Sequence, residues 1–228
     1  MTDTDKKEKP DLLKQMSSVV SHEIRNPLAI ISNSLYFIKT KLGAGGAALD
    51  PKIAKHIGII EGEVKHSNDV IEEMLAFTRN REMAPAPMAM NSLVNDVAGN
   101  YQFPPTVTAK VVTDAADPCV TADAEALAYA LKRLLENSVQ AMPEGGPVTV
   151  EVSHTDKLAL ITVTDGGPGF PAGDGEKAFV PFFTTKPRGI GLGLTIARKF
   201  LEQLGGTAKA ENAQPKGARV TLSLPLNK

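Results

Sequence analysis

The feature that most constrains this chain is a heptad seam repeated on two successive helical stretches. Ile53, Ile57, Ile60, Val64, Ser67, Ile71, Met74 and Thr78 recur at alternating steps of four and three, the spacing that keeps one helical face turned to a partner. Asp50 and Pro51 predict the start of this helix, as N-cap and first helical residue. The stretch before it carries the same seam through Ile24, Leu28, Ile31, Leu35, Ile38 and Leu42, and Gly43 supplies a C-terminal stop. The intervening loop, GAGGAAL, is short enough to force an antiparallel hairpin. One hairpin leaves a full apolar seam in water, whereas two bury both seams in a four-helix bundle. A homodimer is therefore expected; a monomer that covers the seam with a second domain is the alternative.

Before Ile24 the apolar positions run Leu13, Met16, Val20, which breaks the heptad phase and relaxes the supercoil. Pro27 removes a helical N–H nearby and invites a kink. Residues 1–10 are polar and read as a disordered lead-in, which leaves the hairpin over 11–80. The stretch 81–90, REMAPAPMAM, has prolines and no period and reads as a linker. From 91 to 228 the pattern mixes types. Helices are expected over 91–99, 123–142 and 192–204, and strands over 106–113, 118–121, 147–153, 158–164, 207–212 and 217–225. This is an α+β sandwich of helices on one sheet, a second domain behind the helical hairpin.

A formal net charge of −1 gives no electrostatic reason to expect nucleic acid or an anionic membrane as partner. The single Cys119 excludes an intrachain disulfide and any multi-cysteine metal site. No apolar run approaches about 18 residues, and the charged N-terminus is unlike a signal peptide. A cytoplasmic chain without a membrane span is expected.

The run Ser21-His22-Glu23-Ile24-Arg25-Asn26-Pro27-Leu28 is the most informative in the first domain. His22 lies off the apolar seam, so its imidazole is expected to face solvent. A free histidine titrates near about 6.5, which leaves a neutral ring nitrogen as a nucleophile at cellular pH. Glu23 can hold the other ring N–H and stabilise the charge that builds during attack. Asn26 follows one turn along the same face. The octet resembles the H-box of histidine kinases, and the hairpin resembles their dimerisation and phosphotransfer domain. That resemblance implies His22 as phosphoacceptor, Glu23 as its acid/base partner, and Asn26 as the amide that positions water for dephosphorylation of a response regulator. His56, His66 and His154 match no motif.

In the second domain four further runs follow in that family's order. Leu134-Leu135-Glu136-Asn137-Ser138-Val139-Gln140-Ala141 resembles the N-box. The resemblance implies that Asn137 offers an oxygen to Mg²⁺ on the nucleotide phosphates, a ligand suited to a hard cation. The family usually has another Asn four residues earlier, where this chain has Arg133. A guanidinium there can either contact phosphate directly or weaken metal binding. Asp165-Gly166-Gly167-Pro168-Gly169-Phe170 is similar to the G1 box, with Asp165 reading adenine while Gly167 and Gly169 admit the ligand to the backbone. Ala178 to Lys186, with three of the eight phenylalanines, looks like the F-box at the hinge of an ATP lid, which implicates Phe179 and Lys186. Gly189-Ile190-Gly191-Leu192-Gly193-Leu194 opens a helix. It lacks the Lys and Ser/Thr of a P-loop and the last glycine of a dinucleotide fingerprint, and it resembles the G2 box, whose backbone N–H groups meet phosphate.

The resemblance implies a Bergerat-type ATP-binding fold and transfer of the ATP γ-phosphoryl to His22, then to an aspartate of a response regulator. ATP and Mg²⁺ are the expected cofactors, with a homodimer, a receiver domain and a separate sensor protein as partners. Two other readings keep the fold. One is a phosphatase or phosphotransfer protein with a weakened ATP site, motivated by Arg133. The other is an ATP-gated dimeric clamp in which the hairpin only dimerises.

Overall fold

The computed structural model describes residues 24–26, 28–42, 50–78, 82–171, 175–186 and 189–227. The chain divides into two compact units, Met1–Arg81 and Glu82–Lys228.

In the first unit, residues 24–26 and 28–42 are helical, with the run over 28–42 designated α1, and α2 spans Pro51–Thr78. The Asp50 side chain accepts from the Lys52 N–H at 2.7 Å, the capping bond expected of that residue before a first-position proline. Ion pairs between Arg25 and Glu72 at 2.7 Å and between Lys39 and Glu61 at 2.9 Å run the sequence in opposite senses, so the two stretches are antiparallel. The seam is sorted into alternating layers. Leu35, Ile57, Val64, Ile71 and Thr78 are buried, whereas Ile24, Ile31, Ile38, Ile53 and Ile60 are each 42–46% exposed. Leu13, Met16, Val20, His22, Glu23, Pro27 and the glycine loop after Leu42 lie outside the described residues.

The second unit begins with a strand where an irregular linker is expected. β1, Ala86–Ala89, pairs antiparallel with β3, Cys119–Ala122, so the linker reading of 81–90 fails over its second half. Pro87 lacks a ladder donor, but an edge position in a two-stranded sheet tolerates that loss. α3 follows at Met90–Asn100 and β2 at Val107–Val112. α4 is Ala124–Ala141, β4 Gly146–His154, β5 Leu158–Asp165, α5 Gly193–Gln203, β6 Thr207–Asn212 and β7 Ala218–Pro225. A short 3-10 turn at Glu176–Phe179 was not foreseen.

The main sheet has strand order β2-β4-β5-β7-β6, with only β2 and β4 parallel. Its register aligns Val150, Val163, Val220 and Ala210 in one row, and Val152, Ile161, Leu222 and Ala208 in the next. All eight are buried. The alternate rows carry Thr149, Thr164, Arg219 and Glu211, then Glu151, Thr162, Thr221 and Lys209. One face is thus polar and the other apolar, as period-two alternation requires. The helices cover the apolar face with Leu127, Leu131, Leu134, Leu135, Ala197 and Leu201 in a common core with those strands. This is the α+β sandwich read from the sequence.

Candidate functional site

α4 is the element around which the second-unit motifs gather. Asp123 caps it: Oδ1 accepts from the Ala126 N–H at 2.9 Å and Oδ2 from the Ala84 N–H at 2.9 Å. With Leu127, Leu131, Leu134 and Leu135 buried in the core, the helix is fixed in rotation. Asn137 is then half-buried and Gln140 exposed at its C-terminal end.

Three loops close on this helix. At the end of β5, Asp165 is only 6% exposed. Its Oδ1 accepts from the Gly167 N–H at 2.9 Å and from the Ala218 N–H at 3.1 Å, so the carboxylate ties the turn to the start of β7. A Cβ on Gly167 would stand 3.0 Å from that oxygen and 3.3 Å from the Ala141 carbonyl at the end of α4. Gly169 has a φ of 77° and closes against Asn212. The Asn212 side chain accepts from the Phe170 N–H at 2.6 Å and donates to the Phe170 carbonyl at 3.0 Å, clamping both backbone groups.

The second loop brings Lys186 over α4. Its ammonium donates to Asn137 Oδ1 and, at 2.7 Å, to Gln140 Oε1. The base of this loop is fixed by Phe179, which is buried and covered by the Arg198 guanidinium 3.8 Å from its ring centroid. The Phe179 carbonyl accepts from Thr195 Oγ1 at 3.0 Å.

The third loop is the glycine run before α5. Gly191 has a φ of 70°, and a Cβ there would lie 2.4 Å from the Phe183 carbonyl oxygen, so no other residue fits. Gly189 packs against Thr184, with 2.9 Å between its would-be Cβ and Thr184 Oγ1. α5 starts at Gly193 with no side-chain cap on its first backbone donors. Leu194 packs against the core, so only its backbone can serve a ligand. Arg133 faces this helix start. Its Cδ lies 3.3 Å from where a Cβ on Gly193 would be, its guanidinium pairs with Glu136 at 2.8 Å, and it stacks 4.9 Å from the Tyr129 ring centroid. Burial, and secondarily the Glu136 carboxylate, push the Tyr101 phenol above its ordinary range.

The structure thus brings Arg133, Asn137, Asp165, Gly167, Lys186 and Gly193 to one helix. Asn26 belongs to the first unit, where it is helical and exposed, and His22 and Glu23 lie outside the described residues. Asn212, Gln140 and the Ala218 N–H were missed in the sequence reading. Gln140 stands three residues after Asn137, a helical spacing that places it on the same face. Nothing local signals Asn212, which meets its partner across 42 residues.

Residues 12–82 match the His Kinase A (phospho-acceptor) domain, and residues 122–228 match the histidine kinase-, DNA gyrase B- and HSP90-like ATPase domain. The sensor histidine kinase ZraS of Escherichia coli O157:H7 is 32% identical over 225 residues, 97% of this chain and 48% of that protein. Sporulation kinase C of Bacillus subtilis (strain 168) is 27% identical over 96% of this chain and 50% of its own length. The chain therefore spans about half the length of the curated relatives it matches. Among solved structures, histidine kinase ThkA in complex with the response regulator protein TrrA covers 97% of this chain and 64% of that one, with 28% identity and a TM-score of 0.69. The mycobacterial sensor histidine kinase MprB covers 63% of this chain and 99% of its own, with 27% identity and a TM-score of 0.57.

Proposed function

Because the chain belongs to the histidine kinase family through both of its domains, we propose that it transfers the γ-phosphoryl of ATP to His22. The group then passes to an aspartate of a response regulator. In the first step the bond from the γ-phosphorus to the β–γ bridging oxygen breaks and a phosphorus–nitrogen bond forms at the imidazole, with Glu23 holding the other ring N–H. Phosphoryl transfer asks mainly for positioning and charge neutralisation.

The observation that carries the reading is convergence: residues from four separate motifs meet around α4, through the Lys186 bonds to Asn137, the Gly167 approach to Ala141 and the Arg133 approach to Gly193. Asp165 directs Oδ1 to the Gly167 and Ala218 N–H groups, which keeps its carboxylate aimed so that Oδ2 can accept from the adenine amino group. The uncapped start of α5 offers N–H donors to phosphate oxygens. Lys186 supplies a positive charge over α4, and Phe179 anchors the lid base. The donor set fits Mg²⁺: the Asn137 amide oxygen already faces a cation, and a hard divalent ion favours such an oxygen. Asn137 would hold the ion, which neutralises phosphate charge when bound.

A homodimer and a docked receiver domain complete the scheme, which we locate in the cytoplasm. Among the described residues no helix is long and apolar enough to cross a membrane. ThkA is a histidine kinase solved with a response regulator bound, which supports a partner of that class.

The test is incubation with γ-labelled ATP and Mg²⁺. Acid-labile, base-stable label is expected, and it disappears in His22→Ala and Asp165→Ala. Label that persists in His22→Ala would move the acceptor elsewhere. Nucleotide binding with no label in the unaltered chain would leave a clamp or a phosphatase.

A further inference from the structure

Asn137 and Gln140 leave the same face of α4, three residues apart. Both turn their amide oxygens on one positive charge, the Lys186 ammonium. A neutral amide offers either an oxygen or an NH2 group, and two oxygens converging on one cation make a seat for positive charge. Position 133, four residues before Asn137, cannot contribute. A guanidinium has no lone pair for a metal, and Arg133 is committed to Glu136, to the Tyr129 ring and to the start of α5. The two oxygens of this helix are therefore displaced one turn toward its C-terminus, beside the Asp165 turn that contacts Ala141.

We propose that Asn137 and Gln140 together form the divalent-cation seat of this chain, with Gln140 supplying the oxygen that position 133 lacks and the Lys186 ammonium holding the seat until metal and nucleotide arrive. Hard divalent cations favour neutral and anionic oxygens. Phosphate oxygens and water complete a shell that the two amides begin. When the metal takes the seat, the ammonium is displaced by like-charge repulsion. Lys186 stands at the base of the lid, between Thr184 and Gly189, so its release puts a positive charge beside the incoming phosphates.

The inference rests on the ATP-binding reading above, and its test separates the two. Gln140 is exposed, so Gln140→Leu removes the oxygen without opening the core. Binding of a fluorescent ADP analogue to the full chain is measured with Mn²⁺ and with EDTA, and bound Mn²⁺ is counted by electron paramagnetic resonance at saturating ADP. In Gln140→Leu, Mn²⁺ affinity is expected to fall by about tenfold or more, while metal-free ADP affinity is unchanged. Gln140→Glu restores Mn²⁺ binding. A Gln140→Leu chain that holds Mn²⁺ as tightly as the unaltered one overturns the seat. So does an equal loss of ADP affinity with and without metal, because the oxygen would then serve only the lid lysine or the fold. If the unaltered chain binds no ADP in either buffer, the ATP reading itself fails.

Discussion

Asp165 and the turn after it are held by residues from outside their own run. Gly217 has a φ of 110°, and a Cβ there would stand 1.7 Å from the Asp165 carbonyl oxygen. Neither the backbone strain nor the overlap can be relieved by a rotamer change, so Gly217→Ala must move β5 or the start of β7. We expect it to destabilise the second unit by about 2–4 kcal/mol, visible as a lower urea midpoint, and to weaken nucleotide binding with it. Asn212 is the contrasting case, since it is exposed and off the core. Asn212→Ala deletes the two bonds to Phe170, each worth about 1 kcal/mol. Most of that loss should fall on the order of the turn rather than on global stability. A nucleotide titration should show affinity about tenfold weaker with an almost unchanged melting temperature. Asn212→Asp keeps the acceptor for the Phe170 N–H and should rank between the two. Equal affinities for all three would remove Asn212 from the site.

At the scale of elements, α4 decides where the motifs meet, and Asp123 decides where α4 begins. Asp123 is 2% exposed, and its carboxylate oxygens satisfy two backbone donors: Ala126 on the helix and Ala84 ahead of β1. Asp123→Ala therefore costs a cap and leaves a second, part-buried N–H without its acceptor, together about 2–3 kcal/mol. For a unit of this size the melting temperature should drop by roughly 5–10 °C. A shift no larger than that of an exposed control such as Glu125→Ala would argue against the double cap. This helix was legible in the sequence because its cap and its apolar face are local signals. The five strands of the main sheet were legible through alternation, and the glycine runs through the turns they mark. β1 was not, because four residues with a proline carry no period, and its pairing with β3 depends on partners 30 to 36 residues away. The same limit hid Gln140. It lies inside a recognised run, but what gives it meaning is Lys186, 46 residues further on, brought there by the sheet and by the clamp on Phe179. Motifs gave the parts of the site; the long-range contacts that orient them came only with the fold.

At the scale of the whole molecule, the helical unit poses a question of association. Ile24, Ile31, Ile38, Ile53 and Ile60 are 42–46% exposed along one seam while the alternate seam residues Leu35, Ile57, Val64 and Ile71 are buried. Isoleucines at regular heptad positions gain nothing from water, and a second copy of the hairpin would remove them from it. In a two-fold assembly each substitution acts twice. Ile31→Lys should cost about 3–5 kcal/mol per dimer from lost isoleucine burial alone, raising the dissociation constant by about two to three orders of magnitude. Light scattering across a dilution series should then report monomer at concentrations where the unaltered chain is dimeric. Ile59 supplies the control: it is 48% exposed, as open as the seam isoleucines, but lies one position off the seam. Ile59→Lys should leave the mass unchanged. The pair separates a specific bundle from general stickiness, because an adhesive surface would respond to both substitutions and a monomer to neither. Only loss at position 31 with retention at position 59 fits two hairpins sharing one seam, the arrangement that would present two copies of His22 on a common core.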